Sequence, residues 1–357
     1  MAKLNLKSIS RPIPETENRE DFLRLDRNER TSLLSDLEFK NLMDTINPFD
    51  LTPYSILEPF YSDVVKWLKI KREQLLLTHG SEQAIKLIFD AFIDEDSSVI
   101  NYKPNFQMYS VYIQMFGAKE IQKFYNDNLE LDVKSLIQSI DSSIKLIVIS
   151  NPGHNGILIP KDDLLKITKI AEKHDCLVIV DEAYADFCDF SIVDEISNFK
   201  NLLVIRTMSK AFGLASLRIG FIISNSKIIN QIYKVKPVHE ISGLSSKIGS
   251  YFIKNINIKD AYVSKIKESK KYLEDEFVKL NLKWFNSDAN FIYLEVDDTY
   301  RDYLFEELKI NKILIKKAPI VEPFSSLLRV TVGEISQMKL FVTKLKEIFK
   351  KIENAEN

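Results

Sequence analysis

Very little in this chain suits metal or disulfide chemistry. Only two cysteines, Cys176 and Cys188, occur in 357 residues, which excludes a disulfide framework and a cysteine-based metal site. The four histidines stand far apart and show no metal-ligand spacing. Glycine is scarce, with nine in all. No Gly-x-Gly-x-x-Gly follows the first strand-like run, so a nicotinamide-binding Rossmann domain is excluded, although the alternation described below would otherwise fit one. Charge of one sign is also missing: 49 Lys and Arg oppose 51 Asp and Glu, a net charge of −2. Such a balance offers no broad basic field to a nucleic acid. No apolar run approaches the length of a membrane span, and the start, Met1-Ala2-Lys3-Leu4-Asn5-Leu6-Lys7, lacks an apolar signal core. The expectation is a cytoplasmic protein that engages neither membrane nor nucleic acid.

What is present describes an ordinary globular chain, 45% hydrophobic and 28% charged, long enough for one large domain and a smaller one. Three short apolar runs stand out. Leu146-Ile147-Val148-Ile149 ends in Ser150-Asn151-Pro152-Gly153-His154-Asn155-Gly156. Leu177-Val178-Ile179-Val180 ends in Asp181-Glu182-Ala183-Tyr184. Leu202-Leu203-Val204-Ile205 leads into Thr207-Met208-Ser209-Lys210-Ala211-Phe212-Gly213, with Arg218 eight residues beyond the lysine. Runs of this kind read as parallel strands buried on both faces. In open α/β sheets, ligands bind beyond the carboxyl ends of such strands. The pattern therefore predicts a lysine, a carboxylate, a tyrosine, an asparagine and an arginine on one edge, a set that suits pyridoxal phosphate.

Apolar runs alternate with helical periods from about Pro48 to Ser242. One such helix begins near Ser81, with Ala84, Ile85, Leu87, Ile88, Ala91 and Phe92 on one face. Beyond Ser242 the chain reads as a long helix on Tyr262, Ile266, Leu273, Phe277 and Leu280. Two strand-like segments, 290–294 and 326–332, and a final helix follow. The division expected is an N-terminal arm at 1–45, a large domain at 46–242 and a smaller α+β domain at 243–357.

Asp181-Glu182-Ala183-Tyr184 and Ser209-Lys210-Ala211-Phe212-Gly213-Leu214-Ala215-Ser216-Leu217-Arg218-Ile219-Gly220 resemble the signatures of fold-type I pyridoxal-phosphate-dependent aminotransferases, in the branch of histidinol-phosphate aminotransferase. The similarity runs from about Leu25 to Gly333. It implies an α/β fold with a mostly parallel sheet flanked by helices plus a smaller α+β domain, against which the arm packs. It also implies roles. Lys210 would condense with the cofactor aldehyde and later carry the substrate Cα proton. Asp181 would face the pyridine nitrogen, and Tyr184 would hydrogen-bond the ring oxygen. Gly80, Ser81 and Glu82, opening a helix after Leu75-Leu76-Leu77, would cradle the phosphate together with Ser209 and Arg218. Phe106, in Asn101-Tyr102-Lys103-Pro104-Asn105-Phe106-Gln107-Met108-Tyr109, would stack on the ring. Arg329 would clamp a substrate carboxylate, with Asn28 covering it. Tyr54 would reach the phosphate of a second copy, giving a homodimer with shared active sites.

Each of these residues also has an ordinary structural reading: Lys210 as one surface lysine among many, Asp181 as a helix cap, Tyr184 and Phe106 as core, Arg329 as a solvated side chain. It is their order along the chain that argues for chemistry. Two departures from the family pattern stand out. The loop after the first of the three runs is one residue short, so the donor to the ring oxygen is either Asn155 or His154, and Asn155 is favoured. Ser216 stands where glycine is usual. Lys236-Pro237-Val238-His239-Glu240-Ile241-Ser242 carries a His239-Glu240 pair that could recognise a polar substrate end or simply start a helix at a hinge. The reaction expected is transfer of an amino group from an amino acid, glutamate in the family, to a small polar keto or oxo acceptor, phosphorylated acceptors included. Decarboxylation of a phosphorylated amino acid and a non-catalytic cofactor-binding module are the alternatives.

Overall fold

The computed structural model describes residues 9–11, 18–318 and 324–356. Of the expected arm, 1–8 and 12–17 lie outside the described residues. The chain opens with β1 (Leu23–Arg24), α1 (Asp36–Met43) and α2 (Glu58–Leu68). It then lays down β2 (Leu75–His79), α3 (Gly80–Phe92), β3 (Ser98–Lys103), α4 (Gln107–Met115), β4 (Lys119–Phe124), α5 (Val133–Gln138) and β5 (Ile144–Ser150). Next come α6 (Lys161–Lys173), β6 (Leu177–Asp181), β7 (Leu202–Thr207), β8 (Ile219–Ser224), α7 (Ser226–Tyr233) and α8 (Gly243–Lys254). The last part holds α9 (Asn257–Lys279), β9 (Trp284–Phe285), β10 (Phe291–Glu295), α10 (Asp298–Ile310), β11 (Ile313–Leu314), β12 (Lys316–Lys317), β13 (Leu327–Thr331) and α11 (Ile335–Glu356).

Seven strands form one sheet in the order β2-β8-β7-β6-β5-β3-β4. Pairing is parallel from β7 to β4, while β8 runs antiparallel to both of its neighbours. The continuous apolar runs follow from burial on both faces. Ile147, Ile149, Val178, Val180, Leu202 and Val204 point into one apolar cluster. Their alternates Leu146, Val148, Ile179, Leu203 and Ile205 point into the other, where α3 supplies Ala84, Ile85, Leu87 and Ile88. A strand with two buried faces has no polar period to display.

A second, antiparallel sheet runs β12-β13-β10-β9, and α9 packs along α11 beside it. The arm joins this side: β1 pairs in parallel with β11, Leu23 opposite Ile313. Helix α8 belongs elsewhere. It packs on α2, Gly249 against the Phe60 ring, and the Ser245 hydroxyl donates to the Leu217 carbonyl at 2.9 Å. A boundary at 242/243 therefore cuts ahead of a helix seated on the seven-stranded sheet's side. Among the described residues, no helix is long and apolar enough to cross a membrane.

Candidate active site

Strands β5 and β6 end level with one another, Ser150 beside Asp181, while β7 passes Asp181 at Ile205 and runs on to Thr207. The polar residues after those ends, and those on the turn into β8, meet there. The first component is a cradle at the start of α3. Gly80 sits at φ +75°, and a Cβ on it would lie 2.5 Å from Arg218 Nη2, so the guanidinium rests directly against this glycine. Gly220, on β8, passes so close beneath Gly80 and Ser81 that a Cβ there would collide with their backbone. Arg218 itself is left-handed at φ 53° and donates from Nη1 to the Ala215 carbonyl at 3.3 Å. Ser209 is buried and accepts from the Thr207 hydroxyl at 2.9 Å. Glu82 instead turns outward, to Tyr112 Oη at 3.5 Å and Arg11 Nη2 at 3.3 Å. Helix-start amides, a guanidinium packed on the Gly80 backbone where no Cβ could fit, and a buried hydroxyl together fit an anionic phosphate tail.

The second component is an acid pair of contacts around a lysine. Asp181 is buried, accepting from the Tyr109 hydroxyl at 2.9 Å and from the Ala183 N–H at 3.1 Å. Burial raises its carboxyl from 3.8 to about 6, against the pull of those two donors and of the Lys210 charge. Lys210 donates from Nζ to the Arg27 carbonyl at 2.9 Å and lies 5.5 Å from the Tyr184 ring centre. The Tyr184 hydroxyl accepts from Asn28 Nδ2 at 3.0 Å. Asn28, at φ 54°, is itself held by Thr331 and by Asn290, which donates to its carbonyl at 3.1 Å. The neighbouring Glu182 plays a different part. Its buried carboxyl, pushed up to about 7 by burial, accepts from Ser191 and the Ile192 N–H and faces Arg206.

The loop after β5 departs from expectation. The favoured residue was Asn155, but its side chain turns away, donating to the Leu129 carbonyl at 2.7 Å. His154 faces the cluster instead: its ring stacks near Phe106 at 6.4 Å and meets Tyr184 edge-on at 6.3 Å. The reason lies in Gly156, at φ +84°, which brings the loop against Ser287 and so orients the two residues before it. Burial lowers the His154 imidazole from 6.5 to about 3, helped by the Arg329 and Lys210 charges, so the ring is neutral. Arg329 reaches the same place. It donates to the Asp26 carbonyl at 2.8 Å, lies 5.6 Å from the Phe291 ring centre, and leaves Nε buried without a partner.

Tyr54 and His239 are not brought into this cluster. They stack on each other in the outer surface, ring centres 4.5 Å apart and planes within 5°, with Tyr54 85% exposed. The His239-Glu240 pair is split: Glu240 turns inward to Lys236 at 2.9 Å and the Tyr61 hydroxyl at 3.0 Å. Glu240 thereby anchors the segment to Lys236 and Tyr61. Sequence reasoning missed Tyr109 and Tyr293. Tyr109 carried a usable signal, standing three residues after Phe106 on the same helix start. Tyr293, whose hydroxyl donates to the His154 carbonyl, carried none, because that partner lies 139 residues away.

Comparison with known proteins bears on all of this. The family model described as aminotransferase class I and II matches residues 42–345. The histidinol-phosphate aminotransferase of Clostridium kluyveri is 30% identical over 356 residues, covering 98% of this chain and 99% of that protein. That of a Thermoanaerobacter species is 32% identical over 330 residues, 91% of this chain and 92% of the other. Among solved structures, the Clostridium acetobutylicum histidinol-phosphate aminotransferase superposes with a TM-score of 0.84 at 23% identity, over 92% of this chain and 99% of that one. The Sinorhizobium meliloti enzyme, in complex with pyridoxal 5'-phosphate, gives 0.87 at 18% identity over 98% of each. These likenesses establish the fold-type I architecture and do not favour a decarboxylase or a non-catalytic module. The chain belongs to the aminotransferase class I and II family, and is a pyridoxal-phosphate-dependent enzyme that moves amino groups between small-molecule donors and acceptors.

Proposed function

We propose that the protein is a histidinol-phosphate aminotransferase, exchanging an amino group between glutamate and the keto counterpart of histidinol phosphate. Support for the substrate comes from the two relatives of that name, which match nearly end to end. The observation that carries the site reading is the convergence of Lys210, buried Asp181 and the Gly80–Arg218 cradle on one sheet edge. The bound cofactor supplies an electron-accepting ring, through which the substrate Cα–H bond becomes labile. Asp181 would keep a proton at the ring nitrogen. Tyr184 and the neutral imidazole of His154 would donate to the ring oxygen, with Phe106 packed against the ring face. Gly80, Ser81, Ser209 and Arg218 would hold the phosphate. Lys210 would serve as covalent anchor and move the proton at the substrate Cα, while Arg329 and Asn28 hold the substrate carboxylate.

A homodimer is part of the same proposal. Leu33, Phe49, Tyr54, Ile56 and Val238 are large apolar side chains left exposed on one chain, which a second copy would cover. Tyr54 would then serve the other subunit's phosphate. The division into arm, large domain and small domain is proposed with α8 moved to the large domain. Cytoplasmic placement is proposed too, in keeping with two cysteines that stand unpaired. The test is a coupled assay of the purified protein with L-histidinol phosphate and 2-oxoglutarate. Glutamate formation supports the reading. Carbon dioxide release, or activity confined to other amino donors, refutes it.

A further inference from the structure

The loop that places His154 is fastened at two points. Its base is closed by Asn151, whose buried amide donates to the Ile159 carbonyl at 3.1 Å and accepts from the Ile159 N–H at 2.7 Å. Its tip is held from across the cleft, by residues between β9 and β10 and by β10 itself. The Asp288 N–H donates to the Gly156 carbonyl at 2.6 Å, and the Asp288 carboxylate accepts from the Leu158 N–H at 2.9 Å. Lys270, on α9, ties the carbonyls of Ser287 and Ala289 from behind. The contact nearest the chemistry belongs to Tyr293. Its buried hydroxyl donates to the His154 carbonyl at 2.7 Å. On the sheet, Tyr293 lies directly opposite Arg329, whose guanidinium sits beside the phenol. Burial pushes the phenol up to about 12, so it remains a donor under working conditions.

One side chain therefore touches the backbone of the residue facing Lys210 and the guanidinium with an unpartnered Nε. A phenylalanine would fill the same space, so packing alone does not call for the hydroxyl. We propose that Tyr293 is a positioning residue, locking the His154 loop to the strand pair that bears Arg329. One hydroxyl would then set both the donor to the cofactor ring oxygen and the clamp on the substrate carboxylate. The claim rests on the reading that His154 is that donor.

Tyr293→Phe and His154→Ala separate the two. In cofactor-free full-length protein, amide exchange of the 153–158 segment should quicken about tenfold in Tyr293→Phe, the scale of one buried hydrogen bond lost. In the cofactor-loaded protein, the visible absorption band should shift in the same direction for both variants. Tyr293→Phe alone should also raise KM for glutamate by roughly an order of magnitude, with a smaller change in kcat. Unchanged exchange in Tyr293→Phe overturns the lock whatever His154 does. Faster exchange with a band that His154→Ala leaves unmoved overturns the ring-oxygen reading, and with it the purpose assigned to Tyr293. Faster exchange and a shifted band with unchanged KM removes the link to Arg329 and overturns the coupling.

Discussion

Replacing Tyr109 by phenylalanine tests the electrostatics of the buried acid without emptying the core. The ring stays and one donor to Asp181 goes. In the cofactor-free protein, Asp181 titrates near 6 instead of 3.8 because burial outweighs its donors. A raised carboxyl leaves stability whole below its unfolded pKa and withdraws it as pH climbs to the folded one. At 1.36 kcal/mol per pH unit, holding the acid at about 6 costs roughly 3 kcal/mol at neutral pH. A hydrogen bond to a charged group is worth about 1.5–3 kcal/mol. Net of the neutral bond of about 1 kcal/mol that the protonated acid also accepts, its loss should lift the Asp181 carboxyl by roughly half to one and a half pH units and add about 0.5–2 kcal/mol to the cost at pH 8. At pH 5 the carboxyl is protonated in both proteins, and only a neutral hydrogen bond of about 1 kcal/mol separates them. Urea denaturation of cofactor-free wild type and Tyr109→Phe at pH 5 and pH 8 measures the difference of differences, in which every other titrating group cancels. The variant should lose visibly more at pH 8. Equal decrements at the two pH values would mean that Tyr109 does not govern the ionisation of Asp181, and the electrostatic argument would fail.

Three other outcomes are expected. Lys210→Ala should abolish both turnover and covalent trapping of the cofactor by borohydride. Arg329→Ala should raise KM for the amino donor while the protein keeps its colour; bleaching would place the arginine at the cofactor instead. Gly80→Ala, forced to φ +75° with a Cβ 2.5 Å from Arg218, should cost about 1–2 kcal/mol of stability through left-handed strain and weaken cofactor binding by about an order of magnitude by displacing the guanidinium. Equilibrium dialysis with pyridoxal phosphate reads it, and unchanged affinity would remove the cradle from the phosphate.

The strands most visible in the sequence were those buried on both faces, since an unbroken apolar run needs no neighbour to be recognised. The parallel direction of β5, β6 and β7 was read from those runs and holds, but the direction of β8 was not visible. Ile219–Ser224 reads like Leu202–Thr207 yet runs the opposite way, because both faces of each are buried and side-chain pattern carries no polarity. Lys210, Asp181, Tyr184 and Arg218 were legible because strand ends place them. Which of His154 and Asn155 faces the cluster was not legible for the opposite reason: counting along a loop cannot say which side chain turns inward when Gly156 packs against Ser287, 131 positions further on. The Tyr54–His239 stack escaped for the same cause, a contact between segments that share no local pattern. Short strands at Trp284–Phe285, Ile313–Leu314 and Lys316–Lys317 are too brief to show a period at all.

The reversed direction of β8 has a practical result. Because that strand starts, and does not finish, at the working edge, the eleven residues between Thr207 and Ile219 make a round trip and return to where they left. The Lys210 amine and the Arg218 guanidinium, proposed to hold the two ends of the cofactor, thus sit on a single hairpin, spaced by covalent geometry and not by docking of separate pieces. Lengthening that hairpin by even one residue would change the distance between the two grips, and no rearrangement elsewhere in the sheet could restore it.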